Sequence, residues 1–576
     1  MSRRLQARRL ANAASLAGVA AAAAASAAAA AAAAPPPPLP NLVHIFIDDF
    51  GWNNVGFHAR AQPNAHEVRT PRMDALAAGG VVLDRAYAFR FCSPSRSAFL
   101  TGRNAVHVNV LNSPLATFNA SDPVSGAAGI PRPMATLAQR MRDDAGYATI
   151  HAGKWHCGTA TPDHTPPGRG FGLSLGYLDG ANDHWTSATG GWCGDASFTD
   201  LYGGGAPSVP GARSPNAPAF GENNSLSCSQ SHQPASCVYE DDLFTQFAVE
   251  AIRAHNASGG PLFLYFAPHA VHQPLEVPAA SLAEFAFMCA NDTSAQCGWR
   301  QSYAAMVSRV DGHVGEVVDA LASAGLLENT LLTLWADNGG PIYGGAFTCE
   351  QCDGDAGANN FPLRGGKHSN FEGGVRVNAL VAGGLLPAAA RGRVLEGLAA
   401  VEDLFTTFMA RAGLDPFDAR GAAAGLPPVE GLDLWPWLSG ANASSPRAEV
   451  VLGACVGGAA DGPTSVQGLL RADGFKLLVD TLVDAVWQGP VYPNASTSWT
   501  NTPVECGAGG CLFNVFADPG EHEDLASREP GVLAEMQARL AELRRGVFSP
   551  LRGAQSELAC NASRGACRGF VCPFAA

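Results

Sequence analysis

Charge is what this chain has little of. Asp, Glu, Lys and Arg make up 15% of its 576 residues, and the acidic residues outnumber the basic ones 51 to 37, for a net charge of −14. The sequence pI is near 5.5. Such a chain lacks the basic face that non-specific nucleic-acid binding needs, so no nucleic-acid partner is expected. An anionic substrate is not excluded, because a local cationic pocket can sit in an acidic protein. Long apolar runs are also scarce. Beyond the N-terminal segment no stretch offers 18 unbroken apolar residues, which argues against any further membrane span. There is no internal repeat, which excludes a repeat array. What remains is ordinary globular material, 47% hydrophobic and long enough for a large core and two or more domains.

The N-terminus reads as an address. Arg3, Arg4, Arg8 and Arg9 precede an alanine-dominated run to Ala34, and Pro35 to Pro38 end any helix. Residues 1–34 are expected to be a cleaved secretory signal peptide and 35–40 a proline-rich linker. A transit peptide or an uncleaved anchor are the alternatives. Alanine is only weakly hydrophobic, so no stable membrane span is expected after cleavage. Glycosylation sequons at Asn119, Asn223, Asn256, Asn291, Asn442, Asn494 and Asn561 favour the secretory route. So do the cysteines: setting Cys92 aside, the other 14 of the 15 form an even set suited to disulfides. Cys228 with Cys237, Cys289 with Cys297, and Cys560 with Cys567 or Cys572 are plausible local pairs. Cys349-x-x-Cys352 lacks a second pair for a zinc site. A secreted, lysosomal or vacuolar protein is expected.

Alternating strand and helix signals through the first two-thirds predict an α/β sandwich around a large, mostly parallel sheet. Leu42–Ile47, Tyr147–His151, Pro261–Phe266 and Leu331–Ala336 read as strands. Thr70-Pro71 offers an N-cap and a first-turn proline for a helix closed by Gly79. Met134, Leu137, Ala138 and Met141 have helical spacing, capped by Gly146, and Tyr303–Ala324 is a long amphipathic helix. Residues 185–235 read as a long decorated loop. A composition shift at 413–428 places a catalytic domain over 41–425 and a smaller C-terminal α/β domain over 426–576. The latter holds a hairpin turning at Asp473-Gly474, a helix over Pro530–Arg545 and a cysteine-rich tail.

The chemistry concentrates at Cys92-Ser93-Pro94-Ser95-Arg96, followed by Leu100-Thr101-Gly102-Arg103. These residue types at these spacings are improbable together by chance. The pattern resembles the signature of the type I sulfatases, whose fold is the alkaline-phosphatase-like α/β sandwich. The resemblance implies that a formylglycine-generating enzyme oxidises Cys92 to formylglycine, whose hydrate is the nucleophile in sulfate-ester hydrolysis.

Asp48, Asp49, Asp337 and Asn338 supply oxygen ligands only, which suits a hard cation rather than zinc. They stand in Ile47-Asp48-Asp49-Phe50-Gly51 and Ala336-Asp337-Asn338-Gly339-Gly340, where sulfatases carry their metal ligands. With an oxygen of modified Cys92 they are expected to hold Ca²⁺, or alternatively Mg²⁺.

The segment Gly153-Lys154-Trp155-His156 matches the family as well. On an extended strand Lys154 and His156 would share one face. Arg96, four residues after Cys92, would sit one helical turn away and hold the hydrate. His272, in Val271-His272-Gln273-Pro274-Leu275, and Lys367, in Leu363-Arg364-Gly365-Gly366-Lys367, complete the implied set; His269 is the weaker histidine. By the resemblance, Lys367 and His272 bind the sulfate, and His272, or Lys367 in its place, protonates the leaving alcohol. Asp337 assists the attack, and His156 with Lys154 collapses the intermediate.

The likeness runs from about Asn41 to about Ala526 and is similar in flavour to arylsulfatase B, which acts on 4-sulfated N-acetylgalactosamine. The insertion around Cys193–Cys237 and the cysteine-rich tail depart from that pattern. The substrate class is therefore a sulfated carbohydrate or aryl sulfate. A phosphatase or phosphodiesterase on the same fold, or a non-catalytic secreted glycoprotein, are the other readings.

Overall fold

The apolar run that opens the folded part of the chain becomes the middle of its sheet. The structure is a computed structural model and describes residues 38–112, 115–204, 228–234, 236–342, 356–455, 464–497 and 503–575. From Pro40 onward the chain forms one compact unit. Nine strands build the main sheet: β1 (Asn41–Ile47), β2 (Val81–Tyr87), β3 (Ala148–Lys154), β4 (Leu173–Tyr177), β5 (Tyr202–Gly204), β6 (Leu262–Ala267), β7 (Thr330–Ala336), β8 (Ala379–Ala382) and β9 (Arg393–Ala400). Their order is β9-β2-β8-β7-β1-β6-β3-β4-β5. Only β8 and the edge strand β5 run against the rest. Strands β1, β6 and β7 are buried at every residue, as parallel strands covered on both faces must be.

The covering helices fall into two groups that pack among themselves. Pro71–Gly79 and Glu240–Ala254 lie against the long helix Ala295–Ser323, while Cys92–Thr101, Leu137–Ala145 and Asp403–Arg411 pack together. The parallel register pairs Ile47 with Ala336 across β1 and β7, and Ile45 with Phe266 across β1 and β6. The carboxyl ends of the three central strands therefore open at one level, where ligands gather in such sheets.

A second sheet, four-stranded and antiparallel, follows in the order β10 (Glu449–Cys455), β11 (Thr464–Arg471), β12 (Phe475–Leu482) and β13 (Val504–Asn514). Met536 and Leu540 of the helix Pro530–Arg545 pack on it in an apolar cluster with Leu469, Leu477 and Leu512. Phe89 and Phe91 belong to the same cluster, so the second sheet buttresses the segment that leads into Cys92.

Several local expectations change. The Thr70 hydroxyl does not cap its own helix; it accepts from the Gly56 amide at 2.7 Å. The long helix begins eight residues before Tyr303, at Ala295, where the Ser294 side chain accepts from Cys297 N. The region 185–235 is not only loop. It carries paired strands over Ala188–Gly190 and Ser197–Thr199, and β5 joins the main sheet. Cys228–Cys237 and Cys289–Cys297 form as expected. Cys560 instead pairs with Cys193, leaving Cys567 to Cys572, and Cys506 pairs with Cys511. The even-number argument fails at Cys157, a free thiol buried in the core. Cys349, Cys352 and Asn223, and the side chain of Cys455, lie outside the described residues. No helix of the described residues is long and apolar enough to cross a membrane.

Candidate active site

Asp48 and Asp49 continue β1, and Asp337 and Asn338 continue β7, so the parallel pairing sets the four side by side. Cys92 opens the helix Cys92–Thr101, which Gly102 closes in the left-handed region at φ 66°. Its Sγ donates to Asp48 Oδ1 at 3.3 Å. One turn on, Arg96 donates from Nε (3.0 Å) and Nη2 (2.8 Å) to Asp337 Oδ2, and Nη2 lies 3.6 Å from Asp48 Oδ2. Lys154, the last residue of β3, places Nζ 2.5 Å from Asp48 Oδ2. Lys367 donates to Asp49 Oδ2 at 2.8 Å and to His272 Nε2 at 3.0 Å. The His272 Nδ1 proton goes to Gln273 O (2.8 Å), because a carbonyl only accepts; this leaves Nε2 with its lone pair toward Lys367. Three carboxylates and three permanent cations thus interlock, all of them buried. Burial of that much charge is tolerable only when each charge is paired.

One expectation about shape fails. Lys154 and His156 do not share a face of one strand: β3 ends at Lys154, and His156 turns out of it with φ 50°. Trp155 anchors the turn, donating from Nε1 to Gly158 O (3.0 Å) and His164 O (2.9 Å). The charges of Lys154, Arg96, Asp48 and His272 still act on the buried His156 ring.

The electrostatics assign protonation states. Burial, then Lys154 and Arg96, hold His156 well below its ordinary value, so it is a neutral imidazole. Burial and Lys367 likewise lower His272. Burial raises Asp48, but Lys154, His272, Arg96 and Lys367 outweigh it and keep the carboxyl well below the usual range. Burial and Asp48 push Asp337 up against the pull of Arg96. Burial, then the Asp48 charge, raise the Cys92 thiol well above its ordinary value.

The donor set fits a hard divalent cation. Asn338 donates from Nδ2 to Asp49 Oδ1 (2.7 Å), while its own Oδ1 is buried with no hydrogen-bond partner among the described residues. An orphaned carbonyl oxygen beside three carboxylates asks for a cation. Donor atoms of Asp48, Asp49, Cys92 and His272 also fall within 4.8 Å of one another.

Several supporting residues carry no sequence motif. Tyr303 donates to Asp49 O at 2.6 Å and accepts from Gly51 N at 3.1 Å. Asn360 Oδ1 accepts from Trp52 N and Gly340 N, welding the two aspartate loops to the Lys367 loop. His184, Glu240 and Asp241 lie behind His272. The acidic run Glu240-Asp241-Asp242 at a helix start was the available signal.

The Sulfatase family model matches residues 40–414. Mouse arylsulfatase J is 29% identical over 522 residues, covering 87% of this chain and 75% of its own length. Pig N-acetylgalactosamine-6-sulfatase is 29% identical over 400 residues, 69% of this chain and 65% of its own, so the chain spans just under two-thirds of that relative. Among solved structures, the crystal structure of Ps i-CgsB in complex with k-i-k-neocarrahexaose aligns with a TM-score of 0.64 at 24% identity, covering 91% of this chain and 97% of that one. Arylsulfatase J and N-acetylgalactosamine-6-sulfatase match at equal identity, so these likenesses carry the family and leave the arylsulfatase B flavour loose.

Proposed function

The chain belongs to the sulfatase family, and on that premise we propose that it hydrolyses sulfate esters of a sugar or polysaccharide through a formylglycine made from Cys92. The observation that carries this reading is the state of Cys92. The side chain is at the centre of the charge cluster, yet burial and Asp48 keep its thiol protonated, and a neutral thiol is a poor nucleophile. Oxidised to formylglycine, the residue would supply a hydrated aldehyde, one hydroxyl to attack sulfur and the other to expel sulfate afterwards. A divalent cation held by Asp48, Asp49, Asp337 and Asn338 would supply Lewis-acid charge beside it; Ca²⁺ is the first choice and Mg²⁺ the alternative.

The chain's own groups do the rest. Arg96, fixed by Asp337, orients the nucleophile one turn away on its helix. Lys154 and Lys367 grip the sulfate oxygens as fixed charges, the main means of stabilising so charge-rich a transition state. Lys367 and His272 are rivals for the proton donor on sequence alone. Their 3.0 Å contact supports a division of roles: Lys367 keeps its proton and its charge for the sulfate, and His272, protonated at Nε2 when substrate binds, hands that proton to the leaving oxygen. Neutral His156 is the base that collapses the intermediate.

A sulfated sugar is the substrate class supported by the names of the N-acetylgalactosamine-6-sulfatase relative and of the neocarrahexaose complex. The basic, alanine-rich N-terminal segment, the sequons and the five disulfides among the described residues support passage through the secretory pathway, where the formylglycine-generating enzyme would act. The test is the mass of the tryptic peptide Phe91–Arg96 from the native host, with turnover of a sulfate and a phosphate ester of one phenol. An aldehyde at position 92 and preference for the sulfate are expected. A thiol throughout, with the phosphate preferred, would defeat the reading.

A further inference from the structure

Behind the site lies a second knot of buried ligand-type side chains. Donor atoms of His184, Glu240 and His269 fall within 4.8 Å of one another, which suggests a metal. Ring geometry rules against one. The imidazoles of His184 and His269 are stacked, with centroids 3.9 Å apart and planes 17° from parallel. A ring nitrogen binds a metal in its own plane at about 2.0–2.1 Å. Two nearly parallel planes that far apart share no such point. The partners agree: His269 Nδ1 is 3.1 Å from Glu240 Oε2, and Asn182 Nδ2 donates to Glu240 Oε1 at 2.8 Å.

What the knot grips is the backbone that carries His272. His184 Nε2 donates to the main-chain oxygen of His272 at 3.1 Å. Asp241 accepts from His269 N at 2.6 Å on one carboxylate oxygen and from Ala270 N at 3.1 Å on the other. The far side of the segment is tied by Tyr239, whose hydroxyl donates to Glu276 O at 2.9 Å. His184 is itself clamped: it stacks on the Tyr239 ring at 5.4 Å and 11° as well as on His269, and its Nδ1 lies 3.7 Å from Asp241 Oδ2. Both His184 and Asp241 are fully buried. Just beyond, Trp185 packs with Tyr239 against the Cys228–Cys237 disulfide. The gripping residues thus flank the cysteine-bearing insertion on both sides, and its Cys228–Cys237 disulfide packs against them.

We propose that His184 and Asp241 are positioning residues that hold His272 in line with the departing oxygen, so that the segments flanking the insertion serve proton transfer from behind the pocket. This rests on the reading of His272 as the proton donor. The test compares leaving groups in the full-length, formylglycine-bearing enzyme. A nitrophenolate departs without a proton, whereas a sugar alkoxide needs one. His184→Leu removes the donor to the His272 carbonyl; His184→Gln keeps one. We expect H184L to lower kcat on a sulfated sugar relative to kcat on 4-nitrophenyl sulfate at least about tenfold, a part of the about 10²–10⁴-fold that general acid catalysis contributes. KM should not follow that ratio, and H184Q should restore it. Should H184L not fold, Asp241→Asn reads the same ratio, since an amide keeps only one of the two acceptors. A parallel fall on both substrates, or an unchanged ratio in a folded variant, overturns the proposal. Formylglycine-bearing wild type that turns over no sulfate ester would instead overturn the underlying sulfatase reading.

Discussion

Lysine occurs three times in this chain, at 154, 367 and 476, and each one is buried. Every other basic residue is arginine. A compact ammonium on a flexible stem suits a point contact inside a charge cluster, and the planar guanidinium suits paired donation of the kind Arg96 makes to Asp337. The buried acids carry their own consequence. Asp200 accepts from Leu178 N (3.0 Å) and Asp179 N (2.8 Å), and burial together with the neighbouring Asp179 pushes it up to about 7. The unfolded value is about 3.9. The folded state therefore binds this proton more tightly. The stability it confers is complete below about pH 4 and is lost as pH rises through about 7. The melting temperature should thus be higher at pH 5 than at pH 7.5, and Asp200→Asn, which cannot ionise, should narrow that gap. A gap of equal size in the variant would assign the effect to other groups.

At the scale of elements, the site depends on where strands stop. Strand β3 ends at Lys154, and the left-handed turn at His156 breaks the alternation that a longer strand would give. Periodicity predicts the strand but not its last residue. The tail shows a second limit. Cys193 and Cys560 are 367 residues apart, and no spacing rule joins them. The backbone does so: Thr199 N donates to Gly569 O at 2.9 Å, and Val571 N donates to Thr199 O at 3.0 Å. The tail thereby fastens the start of the insertion, a few residues beyond His184. Cys193→Ser with Cys560→Ser should lower unfolding stability by about 2–4 kcal/mol, read from the denaturant midpoint. Limited proteolysis should cut the variant first in the tail or at 185–204. An unchanged midpoint would mean that the backbone contacts alone hold the tail.

At the scale of the whole molecule, Lys476 in β12 joins the two sheets. Its Nζ lies 2.9 Å from Glu372 Oε1 and 2.9 Å from Glu521 Oε1. Glu372 also accepts from the Tyr87 hydroxyl at the end of β2, at 2.9 Å. Removing one member of such a buried set leaves uncompensated charge. Lys476→Met should therefore destabilise the fold by about 3–5 kcal/mol, seen as a shift of the unfolding transition rather than as loss of the second sheet alone. Selective melting of β10–β13 would show that the two sheets are energetically independent.

The α/β class, the central strands, the helix at Cys92 and the acidic pairs after β1 and β7 were legible in the sequence. Each rests on local pattern: apolar runs, a capping glycine, residues at fixed spacing. So was the membership of Arg96, Lys154, His156, His272 and Lys367, through motifs that the fold gathers around Asp48 and Asp49. Tertiary structure alone decided which charges pair, that Lys367 and His272 touch, that Cys560 finds Cys193, and that His184 stands behind His272. Those contacts join residues far apart in the chain, and their geometry follows from register and packing, which no local pattern carries.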